Sequence, residues 1–237
     1  MPNQEKIAGI LGGMGPEATV DLMRRVIRNT PAQDDADHIH CLIDNNPKVP
    51  SRIKALVEGT GEDPAPVMVD MARRLEGWGA DFLSIACNTA HHYYPAVQAA
   101  VKIPVLNMIV LAADAARKSD SAARKFGILC TPGTRTTKIY TDALQKHGLE
   151  AVYPDPDVEA ALLGVIKAVK GGDTSREVKD RLAEVVRHVS GKGVSTAIAA
   201  CTELGVVMDG EEYPVTILDA AEVLAQAIVQ NAKSWHP

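Results

Sequence analysis

The chain is organised around Asp81-Phe82-Leu83-Ser84-Ile85-Ala86-Cys87-Asn88-Thr89-Ala90-His91. Residues 82–86 form a short apolar run of the kind that makes a buried strand. That strand delivers Cys87, Asn88 and Thr89 at its C-terminal end, and the residues beyond, through Tyr93 and Tyr94 to Gln98, can begin a helix. A cysteine at such a corner meets exposed N–H groups and the positive end of the helix macrodipole, which favour its thiolate. A second stretch, Ser195-Thr196-Ala197-Ile198-Ala199-Ala200-Cys201-Thr202-Glu203, repeats the design. Two apolar strands therefore each end in a cysteine followed by hydrogen-bonding residues.

Outward from these strands, residues 7–11 predict a first strand, closed by the glycine-rich turn Gly12-Gly13-Met14-Gly15. Pro16 suits the first position of the helix that follows, whose apolar face carries Val20, Met23, Val26 and Ile27. Strand is expected over 38–44, a turn-rich loop over 45–52, helix over 66–77, strand over 103–108 and helix over 110–118. The order then restarts. Strand over 126–130, helix over 136–147 and strand over 150–153 lead to two helices over 158–169 and 175–189. After the Cys201 strand come a strand over 213–218 and a closing helix over 220–233.

Three landmarks recur in order: Gly9-Ile10-Leu11 returns as Gly127-Ile128-Leu129, 118 residues on; Cys87-Asn88-Thr89 returns as Cys201-Thr202-Glu203, 114 on; Ile103-Pro104-Val105 returns as Tyr213-Pro214-Val215, 110 on. Recurrence in register points to a duplicated half. Alternating strand and helix predicts an α/β fold of two pseudo-symmetric lobes, each a mainly parallel sheet flanked by helices. The expected lobes are 1–106 with 214–237, and 107–213, with the site in the cleft between them at the C-terminal strand ends.

Composition narrows the function. The 237 residues are 46% hydrophobic, enough for a substantial core. A net charge of −5 without a basic block argues against nucleic acid, and the absence of a long apolar run or signal-like start argues against a membrane. A cytoplasmic protein is expected. The four cysteines (Cys41, Cys87, Cys130, Cys201) form no C-x-x-C pair, and His38, His40, His91 and His92 make no zinc pattern with them, so no metal is expected. Gly12-Gly13-Met14-Gly15 departs from G-x-G-x-x-G, Pro16 removes an N–H, and there is no Walker lysine. No cofactor is called for.

Two thiols flanking one carbon suit removal of a proton from one face and its return to the other. With an ordinary pKa of about 8.5, a cysteine supplies some thiolate near neutrality. A carbon acid beside a carboxylate also needs donors or a cation on that carboxylate. Asn88, Thr89 and Thr202 are suitable donors, while Arg52 and Lys170 are the leading cations.

The residues Gly9-Ile10-Leu11-Gly12-Gly13-Met14-Gly15-Pro16-Glu17-Ala18-Thr19, Cys87-Asn88-Thr89-Ala90-His91 and Cys201-Thr202-Glu203 together resemble the aspartate/glutamate racemase family, and its aspartate racemase branch in particular. The resemblance runs from the first strand to the last helix. It implies a cofactor-independent two-base racemase, often a homodimer, acting on a small acidic amino acid. It implies Cys87 and Cys201 as the acid/base pair, with Met14, Arg52, Asn88, Thr89, Lys170, Thr202 and Glu203 at the substrate. Lys167 is an alternative to Lys170. Glu203 can orient Cys201, meet the substrate amine or cap the next helix. Cys130 is expected in the core, and His92 has no assigned role. Competing readings are a hydantoin racemase, maleate isomerase or arylmalonate decarboxylase type of enzyme, or a protein that binds an acidic metabolite without turning it over.

Overall fold

A computed structural model describes residues 5–120 and 122–233; the polar opening residues 1–4 fall outside them. The chain forms two compact units, one holding the described residues up to Met108 together with those from Ala221 onward, the other Ile109–Ala220. Each contains a four-stranded parallel sheet flanked by helices, an α/β arrangement.

The first unit runs β1 (Ala8–Gly12), α1 (Pro16–Asn29), β2 (Cys41–Asn45), α2 (Ala65–Gly77), β3 (Phe82–Ile85), α3 (Tyr94–Ala100) and β4 (Val105–Leu106). Then come α4 (Met108–Ser119), β5 (Lys125–Cys130), α5 (Pro132–Thr136), α6 (Ile139–Gln145), β6 (Glu150–Val152), α7 (Pro156–Lys170), α8 (Arg176–Ser190), β7 (Thr196–Ala200), α9 (Thr202–Met208), β8 (Thr216–Asp219) and α10 (Ala220–Lys233). The strand orders are β2-β1-β3-β4 and β6-β5-β7-β8. Central strands β1, β3 and β7 are buried at every residue because helices cover both faces, which is why they read as unbroken apolar runs. In the first unit Met68, Met71, Ala72 and Leu75 of α2 pack with Leu11, Leu83 and Ile85. In the second, Leu162, Val165, Ile166 and Val169 of α7 meet Leu182, Val185, Val186 and Val189 of α8.

The registers show how the halves correspond. Gly9 pairs with Leu83, and Gly127 with Ala197, so the displacements of 118 and 114 found in the sequence are structural. The third landmark is corrected. Val105 pairs with Leu83 and Ile217 with Ala197, so β4 and β8 correspond at a displacement of 112, and α4 and α10 begin at the matching residues Met108 and Ala220. Pro104 directly precedes its strand, whereas Pro214 stands two residues before β8. A slip of two keeps every side chain on the same sheet face, which makes the proline match deceptive.

Several elements differ from the sequence reading. The helix expected over 136–147 is split, because Lys138 adopts φ 56° between α5 and α6. Helix α9 has no span in the sequence reading, which names only a next helix that Glu203 could cap: Gly205, Val206 and Val207 are poor helix formers, yet Leu204, Val207 and Met208 are drawn into the second core and the helix forms around that burial. A wide turn at Lys54–Glu58, ending at Gly59 with φ 66°, follows the loop expected over 45–52.

Helix α10 is fastened to α1 by charge. Buried Arg25 donates to Asp21 (2.6 Å) and Glu222 (3.2 Å), and Asn29 donates to the other oxygen of Glu222 (2.7 Å). Deleting one member of a buried ion cluster strands the others without compensation. Arg25→Ala should therefore cost roughly 2–4 kcal/mol in urea denaturation; a loss under about 0.5 kcal/mol, the size of a surface substitution, would show that packing alone retains α10.

Candidate active site

In the first unit the hydrogen bond from Ala86 N to Leu11 O (2.9 Å) brings the ends of β1 and β3 out side by side. The glycine turn after β1 is shaped from within. Gly13 has φ +86°, and a Cβ there would lie 2.2 Å from the Asn46 carbonyl group, so no side chain fits. Thr19 closes the turn, its hydroxyl accepting from Gly13 N (2.9 Å) and donating to Gly15 O (3.0 Å). Met14, buried at the apex, presents its carbonyl to Arg52 Nη2 (3.2 Å). Arg52 Nη1 donates to Val49 O (3.1 Å) and Pro50 O (2.8 Å), while its buried Nε has no hydrogen-bond partner among the described residues. A guanidinium is thus anchored at the turn with one donor direction unused.

Cys87, Asn88 and Thr89 follow β3 and are all buried. The chain then takes a 3-10 turn (Thr89–Tyr93) before α3 rather than entering an α-helix directly. That turn separates the two histidines. His92 faces outward, edge-on to Tyr93 with ring centroids 5.0 Å apart. His91 faces inward: Nδ1 lies 2.8 Å from Cys87 O, and Nε2 receives the Met108 N–H (3.0 Å). Burial drives the His91 pKa down to about 4, against the opposing pull of the carbonyls of Cys87, Asn88 and Leu106. Its ring is neutral at physiological pH. Burial and Asp63 raise the Tyr93 phenol while Arg52 lowers it, which sets Arg52 within electrostatic reach of this turn.

In the second unit Cys201 follows β7 and occupies the N-cap position of α9, its carbonyl accepting from Leu204 N (3.0 Å). Its thiol donates to Glu203 Oε2 (3.0 Å), which Thr202 Oγ1 also approaches (3.4 Å). Lys170, the last residue of α7, closes on the other carboxylate oxygen, Oε1. Burial alone would raise the Glu203 pKa, but the Lys170 ammonium and the hydrogen bonds from Cys201 and Lys170 together hold it below the usual value. The carboxylate is therefore ionised and accepts the thiol proton in a hydrogen bond. Lys170 makes this contact, whereas Lys167 lies exposed on α7.

The remaining cysteines are chemically quiet. Burial pushes the Cys41 thiol up to about 11. Cys130, at the end of β5 where the first unit has Gly12, is pushed up further by burial, with Glu159 adding to the effect. Among the described residues no group of His, Cys, Asp and Glu side chains could hold a metal ion, and no helix is long and apolar enough to cross a membrane.

The structure thus gathers Met14, Arg52, Cys87, Asn88 and Thr89 at one sheet end, and Lys170, Cys201, Thr202 and Glu203 at its counterpart. Two expected substrate contacts, Lys170 and Glu203, are engaged with each other. Sequence reasoning quoted His91 but gave it no task; its place four residues after Cys87, the spacing of one helical turn, was the available signal.

The chain is similar to known proteins along most of its length. The family model for Asp/Glu/hydantoin racemases matches residues 11–228. A broad specificity amino-acid racemase, RacX of Bacillus subtilis, is 28% identical over 94% of this chain and 96% of its own. A glutamate racemase of Persephonella marina is 29% identical over 66% of this chain and 60% of its own. The aspartate racemase of Picrophilus torridus superposes with a TM-score of 0.82 at 33% identity, covering 96% of this chain and 94% of the other.

Two outcomes follow for stability. Lys170→Met leaves the Glu203 carboxylate buried without its cation and should cost roughly 1–3 kcal/mol, most of which a second change, Glu203→Gln, restores; simple addition of the two losses would mean that the charges are uncoupled. Because His91 is neutral when folded and titrates near 6.5 when unfolded, the unfolded chain binds the extra proton between these values. Acidification from about pH 6.5 to 4 should then remove roughly 3 kcal/mol of stability, and His91→Gln should flatten that part of the urea-midpoint profile.

Proposed function

The chain belongs to the Asp/Glu/hydantoin racemase family and is an amino-acid racemase; from that premise we propose that it interconverts L- and D-aspartate, and glutamate less readily, by proton exchange between two cysteines. The observation that carries the proposal is the equivalence of Cys87 and Cys201 by strand register: each stands four residues beyond an equivalent strand position, Leu83 paired with Gly9 and Ala197 paired with Gly127. A thiolate takes the α-proton and becomes a thiol, while the opposite thiol gives its proton to the other face of the carbanion and becomes a thiolate. Atoms and charge balance without an external acid, and the enzyme ends the turnover with its two thiols exchanged in protonation.

The remaining residues receive tasks from their chemistry. Arg52, anchored at the turn by the Met14, Val49 and Pro50 carbonyls, offers its positive charge to a substrate carboxylate and stabilises the charge that grows on it in the transition state. Asn88, Thr89 and Thr202 add hydrogen bonds, and the Met14 turn limits how far the substrate enters. Glu203, ionised by Lys170, holds the proton on Cys201 until the reaction takes it. The scheme requires no pyridoxal group. A cytoplasmic homodimer completes the proposal, and Val20 and Ile27, exposed on one face of α1, are apolar surface of the kind that subunit contacts cover.

The match to a broad specificity racemase over nearly the whole chain favours a second reading, in which the side-chain range extends beyond acidic amino acids. Deuterium wash-in at Cα in D₂O separates the two when L- and D-aspartate, glutamate and a panel of neutral amino acids are compared. Fastest exchange with aspartate is expected; similar rates across the panel favour the second reading, and no exchange with any of them overturns both. Cys87→Ser and Cys201→Ser should each slow racemisation by roughly 10²–10⁴-fold, the usual contribution of one acid/base group.

A further inference from the structure

His91 takes no part in the proton exchange, yet it is 4% exposed and hydrogen-bonded on both ring nitrogens. A backbone N–H can only donate, so the Met108 amide fixes Nε2 as the bare acceptor and leaves the hydrogen on Nδ1, where it points at the Cys87 carbonyl. The ring is thereby locked in one neutral tautomer.

What this lock does follows from the sheet. Strand β4 has two residues, and its ladder with β3 stops at the pair Ser84 and Leu106. Cys87 lies beyond the end of that ladder on one strand and Met108 beyond it on the other. The imidazole spans the gap. In the second unit β8 has four residues, its ladder with β7 continues to the pair Ala199 and Asp219, and the position matching His91 is Gly205. There the ladder runs one pair further than in the first unit, and a glycine offers no side chain to bridge the strand ends.

We infer that His91 is a positioning residue for Cys87: it serves as a side-chain rung that fixes the Cys87–Asn88 peptide against the first residue of α4. The inference rests on the reading of Cys87 as an acid/base group. Holding the Cys87 carbonyl sets the peptide plane, and with it both the direction of the Cys87 side chain and that of the Asn88 N–H. Met108 is the last residue of the first unit, so the rung ties the reactive corner to the point where the chain leaves that unit. Gln98 does a related task nearby, donating to Ile103 O (3.1 Å) and accepting from Val105 N (2.8 Å).

Two substitutions divide the rung. Asparagine can donate to the carbonyl four residues before it, as Asn29 does to Arg25 O (2.9 Å) and Asn231 to Ala227 O (3.0 Å), so His91→Asn keeps the grip on Cys87. His91→Gln reaches further and keeps the acceptor for Met108 while losing the donor to Cys87. Each loses one buried bond, so their unfolding midpoints should drop alike. If His91 positions Cys87, kcat falls about 10–100-fold in His91→Gln with KM within about threefold, and His91→Asn recovers most of the rate. Equal kcat in the two variants, following their shared loss of stability, overturns the inference.

Alkylation by iodoacetamide, with Cys87 and Cys201 peptides quantified by mass spectrometry, provides a readout independent of turnover. The Cys87 to Cys201 ratio should shift about threefold or more in His91→Gln and return toward wild type in His91→Asn; an unchanged ratio in both overturns the inference. Absence of Cα exchange in the wild-type protein would instead remove the racemase reading, and the alkylation ratio would still decide whether His91 governs Cys87.

Discussion

A parallel strand covered on both faces can offer a polar side chain to a ligand only where it runs out of sheet. Within β3 and β7 every residue is buried, and a reactive group there would be sealed among helices. The end of the strand is different, because the chain must turn and the backbone amides of the turn are no longer consumed by a ladder. Cys87 and Cys201 stand at such ends, each within a residue or two of the last strand position. The rest of each unit serves to hold that corner still. Four parallel strands require crossover helices, the helices require apolar strand faces, and the resulting core leaves the C-terminal edge as the place where chemistry can be built.

Surroundings, more than burial, distinguish the thiols. Cys41 and Cys130 are raised well above the ordinary range, so they remain protonated and act as small apolar groups. Cys87 and Cys201 are more buried than Cys41 and close to Cys130, and what sets them apart is that each belongs to a polar constellation. The supports differ between the halves. Behind Cys87 a neutral imidazole grips the backbone, whereas beside Cys201 a lysine-held carboxylate accepts a hydrogen bond from the thiol itself. One half positions through the main chain and the other through charge. The duplicated strand order therefore does not imply duplicated electrostatics.

The sequence was most legible where periodicity and composition act locally. The apolar runs leading to Cys87 and Cys201, the Pro16 helix start and the long helices Pro156–Lys170 and Arg176–Ser190 all follow from patterns within a few residues. It was least legible where distant residues decide. Helix α9 contains a glycine and two adjacent valines and exists because the second core absorbs its apolar side. The break at Lys138 has no glycine to announce it. The proline match between residues 104 and 214 looked like register and was displaced by two.

The sequence by itself determined the parallel α/β class and the two thiol-bearing strand ends, because each depends on residue types at short spacing, and its motifs carried the family resemblance. Only the tertiary structure decided which charges meet. Lys170 and Glu203 are 33 positions apart, His91 and Met108 17, and Arg52 and Met14 38. Such contacts are set by how helices and loops return over a sheet, a distance in space that no local pattern of residues records.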